Sequence, residues 1–338
     1  MGCSIKTLIA LGIVSLSAAC SSTPPPEDPV LIADPPAGGA TGLSASAANT
    51  ELQRAIAYIK NEKFDEAKKH LELALSEKSD HAEANYYMGV TNEMLGDKKA
   101  AETFYAKAIE LDATLIDAAT NLAALYLDEP SRPDQAIAVV KKALEKAPDD
   151  PGLNQNLGFA YGLKKDYANA AKAYDAAVAK GDSADLRFAY GALLFEANDM
   201  AKAAEQLKKA LDGAKENVPM VVTIGRMLGK AGAYADCVRA FDIALKSKTE
   251  PEWLVRRGTC KHELSDEPGA RQDFEAATKA DPKFAAAFYY LGMSYSLDLK
   301  KYKLNAVNAL EQAAKLGEGT EIGKNAKDKL KEIKKQKP

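Results

Sequence analysis

Four cysteines and three histidines are the side chains of this 338-residue chain best suited to nucleophilic or metal chemistry, so their spacing matters first. His70, His81 and His262 have no ligand partners at useful spacing, and no metal site is expected. A nucleophilic mechanism would need a Ser or Cys supported by a base and an orienting carboxylate, and no local signature of that kind is present. There is no Walker-type phosphate loop, no Rossmann glycine fingerprint and no His-Glu-x2-His. Gly229-Lys230 lacks the required glycine frame and falls inside a predicted helix. A net charge of −3 leaves no basic nucleic-acid footprint. These residues predict a chain that is no enzyme and takes no cofactor, metal, nucleic acid or small-molecule substrate.

Two cysteines sit in a processing context. Lys6, the apolar run Leu8–Leu16 and the small stretch Ser17-Ala18-Ala19 describe a secretory signal peptide over residues 1–19, which would remove Cys3. The run is too short to span a bilayer, which takes roughly 20 apolar residues. With Cys20 directly after Ala18-Ala19, the segment resembles a bacterial lipoprotein signal, although Ser17 stands where that family prefers Leu. The resemblance implies a lipidated Cys20. Ser21 in place of Asp implies the outer membrane, with the chain facing the periplasm. The alternative is a soluble secreted protein in which Cys20 is incidental. Residues 20–47 are rich in Pro, Ala, Gly and Ser and read as a tether, with a root-mean-square span of about 30 Å. Pro24–Pro26 or Pro35–Pro36 could instead dock into a groove. Cys237 and Cys260 remain for the folded part. An oxidising compartment permits a disulfide between them, while each also serves as a small buried residue, which is the favoured expectation.

The elements that must carry any site follow from a periodicity. Ala74, Ala108, Ala143, Ala177, Ala210, Ala244, Ala277 and Ala313 are separated by 34, 35, 34, 33, 34, 33 and 36 residues. Seven residues before each is a small partner, Ala67, Ala101, Ala136, Ala170, Ala203, Cys237, Ala270 and Ala306. A large residue lies between them: Leu71, Tyr105, Val140, Tyr174, Leu207, Phe241, Phe274 or Leu310. A third small residue lies upstream: Ala55, Gly89, Ala123, Gly158, Gly191, Gly225, Gly258 or Gly292. Antiparallel helices approach closely where crossing side chains are small and a large neighbour fills the gap. A period near 34 residues predicts an all-α solenoid of about eight helix-turn-helix units.

Leu157-Gly158-x2-Tyr161 with Ala170-x3-Tyr174, and Leu291-Gly292-x2-Tyr295 with Ala270-x3-Phe274, resemble the tetratricopeptide repeat family over residues 48–317. Pro148 and Pro282 fall at its terminal proline. The resemblance implies a right-handed superhelical array. The family's Trp is absent from its usual place, Trp253 standing one residue early. Arg257 replaces a core Leu, which predicts loose packing of the seventh repeat's first helix. The third repeat carries one extra residue near Pro130 and Pro133, and the eighth carries two within Leu299–Asn305.

In that family the first helix of each repeat lines a concave groove. Carried over by position, the groove residues are Leu52, Ile56, Tyr86, Val90, Met94, Gln155, Phe159, Phe188, Phe195, Val222, Arg226, Tyr289 and Met293, with Asp117, Asp128, Asp185 and Glu196 giving a slightly acidic centre. Such an apolar, aromatic trough fits protein or peptide partners. The competing expectation is that some of these side chains contact the next repeat. The family's carboxylate clamp, Lys and Asn at fixed positions of one repeat, is absent. Residues 318–338 form a basic amphipathic helix whose Leu330 and Ile333 would cap the eighth repeat, while its lysines could alternatively meet anionic lipid or cell-wall polymer.

The expected function is a lipid-anchored periplasmic scaffold that binds envelope proteins and supports assembly of an envelope machine of the pilus, secretin or gliding-motility type. A chaperone, carrier or protease adaptor for envelope proteins is the alternative.

Overall fold

The computed structural model describes residues 45–128 and 131–335, so the signal segment, Cys20, nearly all of the tether and Pro130 lie outside it. Every regular element among the described residues is an α-helix. One compact unit, residues 45–182, holds α1 (Ala45–Lys60), α2 (Phe64–Glu77), α3 (Ala82–Met94), α4 (Lys98–Leu111), α5 (Ile116–Leu127), α6 (Pro133–Leu144), α7 (Pro151–Leu163) and α8 (Tyr167–Lys180). The other, residues 183–335, holds α9 (Ala184–Glu196), α10 (Met200–Gly213), α11 (Val218–Lys230), α12 (Tyr234–Ser247), α13 (Pro251–Glu263), α14 (Glu267–Ala280), α15 (Ala285–Ser296), α16 (Leu299–Leu316) and α17 (Glu321–Lys335). Helix α1 takes in residues 45–47, which are expected from composition to belong to the tether.

Consecutive helices pair because their small residues meet a large one. A Cβ at Gly89 would lie 2.5 Å from Tyr105, at Gly258 2.6 Å from Phe274, and at Gly292 2.6 Å from Leu310. Only hydrogen fits there, and Tyr105, Phe274 and Leu310 are buried in the resulting seams. Where the upstream residue is Ala55 or Ala123, the partner is the smaller Leu71 or Val140. The aromatic partners Tyr105, Tyr174, Phe241 and Phe274 each face a glycine, whereas leucine faces Ala55 in one repeat and Gly191 or Gly292 in others, and each such large side chain contributes roughly 1.5–3 kcal/mol by burial.

The turns inside repeats share one geometry. The chain leaves the first helix through a left-handed residue, Glu62, Gly96, Lys165, Asn198, Gly232 or Ser265, and the next amide bonds five residues back. Asp97, Asp166, Asp199, Asp266 and Asp298 then cap the second helix by accepting an amide three residues on. In the third repeat Arg132 N donates instead to Tyr126 O, six residues back, at 2.6 Å, which is the extra residue made visible. Its guanidinium pins the longer turn with two bonds to Glu102 (3.0 and 2.8 Å) and lies 4.4 Å from the Tyr126 ring centre. The insertion of the eighth repeat adds a turn at the start of α16, which breaks regularity at Tyr302 (φ −123°, ψ 18°).

Two expectations are corrected. Arg257 does not loosen α13. It donates to the buried Asp273 through Nε (2.9 Å) and Nη2 (2.6 Å), and to Asp242 through Nη1 (2.7 Å). Lys261 Nζ adds a second cation 2.9 Å from Asp273. A charged clamp therefore takes the place of the missing leucine. Secondly, Cys237 and Cys260 are joined in a disulfide, with Cα atoms 6.3 Å apart. Cys237 opens α12 and Cys260 nears the end of α13, so the antiparallel pairing of those helices cancels their separation of 23 residues.

At the C-terminus α17 buries Ala326, Leu330 and Ile333 against Ala306, Leu310, Ala313 and Ala314 of α16. It closes the apolar end of the last repeat, as a solenoid requires.

Candidate functional site

In the unit of residues 45–182 the first helices are α1, α3, α5 and α7. Helix α1 presents Ile56, half-buried, but Leu52 is only 1% exposed and belongs to the core with Ala55, Leu71, Ala74 and Met88. Leu52 therefore leaves the set of surface groove residues. It faces the second helix because its register puts it one turn ahead of Ala55 and Ile56. On α3, Tyr86 and Val90 are half-buried against the cluster around Leu122 and Tyr126, whereas Met94 is 53% exposed. Tyr86 lies 4.9 Å from Tyr87 and 6.1 Å from Tyr105 between ring centres. On α7, Gln155 and Phe159 are half-buried, Phe159 against the same cluster as Tyr86.

Polar groups fix these helices in ways the periodicity did not disclose. Asn85 Nδ2 donates to Ser79 O (3.2 Å) and His81 O (2.9 Å), and Asn154 Nδ2 donates to Pro148 O (3.1 Å) and Asp150 O (2.9 Å). Both asparagines are buried, and each ties the start of a first helix to the loop before it. Asn156 Nδ2 reaches Thr120 O at 2.9 Å, locking α7 onto α5. An Asn at the second helical turn, with a loop carbonyl six residues earlier, is a signal that recurs in repeats two and four and could have been found.

The electrostatics here are acidic. Tyr105 donates to Glu93 Oε2 at 2.6 Å, and burial together with that carboxylate pushes its hydroxyl pKa up. Burial, then Glu83 and Asp117, raise that of Tyr87. Asp117 itself is held above the usual carboxylate range by burial and by the charge of Asp150. Asp128 pairs with Lys98. His70 bonds Glu51 at 2.6 Å, and His81 contacts Asn49 at 2.8 Å while accepting the Ala84 amide. These are structural partners, and no cluster of potential metal ligands occurs among the described residues.

In the unit of residues 183–335 the first helices are α9, α11, α13 and α15. Phe188, Phe195 and Val222 are half-buried against the core formed by Leu211, Val221, Ile224 and Leu228. Arg226 is exposed. On α15, Tyr289 is half-buried against the α16–α17 cluster and stacks edge-on with Tyr290 at 5.3 Å, while Met293 is half-buried. The first-helix surface thus offers fewer free apolar side chains than its sequence suggested, because first helices also pack on one another. What the arrangement can do chemically is present partly sunk aromatic rings between polar side chains.

Residues 52–116 and 160–218 match the model of the tetratricopeptide repeat. These two segments are tetratricopeptide repeats. A tetratricopeptide repeat protein from Parabacteroides merdae is similar in structure, with a TM-score of 0.50 and 14% identity over 74% of this chain and 99% of that one. A thermophilic repeat protein of Thermus thermophilus gives 0.45 and 22% over 54% and 99%. MamA of Desulfovibrio magneticus gives 0.46 and 21% over 50% and 96%. Likeness at these identities concerns the fold. Tetratricopeptide proteins are interaction scaffolds, and no enzymatic family is indicated.

Proposed function

We propose that this chain is a lipid-anchored scaffold facing the periplasm, which binds envelope proteins on its first-helix surfaces and supports assembly of a pilus, secretin or gliding-motility machine. The observation that carries the export half of this reading is the Cys237–Cys260 disulfide, because such a bond persists in an oxidising compartment and is rare in the cytosol. The signal-like segment before Cys20 points the same way. The binding half rests on the repeat fold and on half-buried rings such as Tyr86, Phe159 and Tyr289, which a partner could cover without reordering flexible side chains. Replacing Cys20 with Ala is expected to release the protein from membranes on fractionation, and a variant that stays bound refutes the anchor. In-cell crosslinking followed by mass spectrometry tests the scaffold: one or two stoichiometric components of an envelope machine support it. A diffuse set of unfolded envelope chains would mean a chaperone instead.

A further inference from the structure

The broken first turn of α16 exposes side chains that the repeat itself does not need. Leu304 is 71% exposed and Leu297, just before the helix, is 56% exposed, the two highest values for large apolar residues among those described. Between them stand Lys300, Lys301 and Lys303, against a single acid, Asp298, whose carboxylate caps the Lys301 amide at 3.2 Å. The Tyr302 ring lies 4.4 Å from the Arg271 guanidinium and 4.9 Å from the Lys301 ammonium, so cations gather around one half-buried aromatic ring. Consistent with that local field, the Tyr302 hydroxyl pKa is lowered, first by its hydrogen bond with Lys301. This happens on a chain whose net charge is −3.

The combination selects an occupant. The centre of a protein interface is depleted in lysine, and here lysines separate the two leucines rather than ring a contiguous apolar patch. A bilayer interface accommodates the same pattern: leucines enter the acyl boundary, tyrosine rests at headgroup level, and lysine and arginine meet lipid phosphates. We propose that residues 297–304 form a membrane-contact site that seats on an anionic lipid surface and inserts Leu297 and Leu304, with Arg271, held between the Tyr295 and Tyr302 rings, fixing Tyr302 in place. The site is independent of any lipid on Cys20, and would fix which part of the repeat array lies against the bilayer.

A single-tryptophan reporter tests this in the full-length chain: Trp253→Phe with Tyr302→Trp. Vesicles of phosphatidylcholine mixed with phosphatidylglycerol are expected to blue-shift the emission of the introduced indole, and brominated acyl chains to quench it. Anchoring at the N-terminus alone would leave the emission of that indole unshifted and unquenched. Adding Lys300→Gln, Lys301→Gln and Lys303→Gln should weaken the response on the order of a hundredfold, since each lysine near an anionic surface is worth about 1 kcal/mol. Leu297→Ser with Leu304→Ser, at exposed positions that leave the core intact, should abolish quenching by the brominated chains. No shift with vesicles, or an equal shift on pure phosphatidylcholine, overturns the proposal. So does a shift without lipid that grows with protein concentration, which would mean a second copy covers the patch.

Discussion

Gly258 has no side chain because Phe274 occupies its place: a Cβ there would meet the ring at 2.6 Å. Phe274 is 3% exposed and stacks on Tyr290 at 5.7 Å, so it has little room to retreat. Gly258→Ala is expected to destabilise the protein by about 1–3 kcal/mol through overpacking, read as a lower denaturant midpoint. Combining it with Phe274→Leu recreates the Ala55–Leu71 pair of the first repeat and should recover part of the loss. A double-mutant cycle without coupling would refute the steric pairing of positions 258 and 274.

Asp273 is the buried anion that Arg257 and Lys261 both hold. Asp273→Asn leaves Lys261 without its carboxylate and Arg257 with Asp242 alone, and a loss of about 3 kcal/mol is expected, as for one partner removed from a buried pair. Arg257→Leu, Lys261→Met and Asp273→Ala together remove the buried anion and both of its cations, and should be less damaging than Asp273→Asn alone. Urea melts of the parent and the two variants decide it.

The Cys237–Cys260 bond closes a loop across two repeats. Replacing both cysteines with Ala should cost about 3 kcal/mol in the chain-entropy account. Both cysteines are buried, at 1% and 5% exposure, so reductant should open the bond slowly in native protein and quickly in denaturant. Equal rates in the two conditions would show that the seam between α12 and α13 opens easily.

Asp117 carries a pKa raised by burial and by Asp150. A folded pKa above the unfolded one means stability that is fully present below the unfolded value and is lost as pH rises through the folded value. Asp117→Asn should therefore raise the melting temperature at neutral pH, and the advantage should vanish below the carboxylate range. Glu102 has the opposite sign: its hydrogen bond from Arg132 lowers its pKa, so its contribution holds at neutral pH and fades as pH falls through the depressed folded value. A melting-temperature difference between Glu102→Gln and the parent that stays flat against pH would contradict this.

The repeat was legible from residues alone because its determinants are local and recurrent. Gly89 with Tyr105, or Gly292 with Leu310, are sixteen and eighteen residues apart in adjacent helices, and close packing needs the same small and large pair each time. The extra residue before Pro133, and the cap through Leu330 and Ile333, were readable for the same reason. Tertiary structure alone decided three things. It paired Cys237 with Cys260, since a separation of 23 residues says nothing about which ends of two antiparallel helices meet. It turned Arg257 from a defect into one end of a charged clamp, because Asp242 and Asp273 come from two different helices. It drew Leu52 into the core and sank Phe159 and Phe188 halfway, because a first helix packs against its own second helix and also against the next first helix, a division of surface that no single helix encodes.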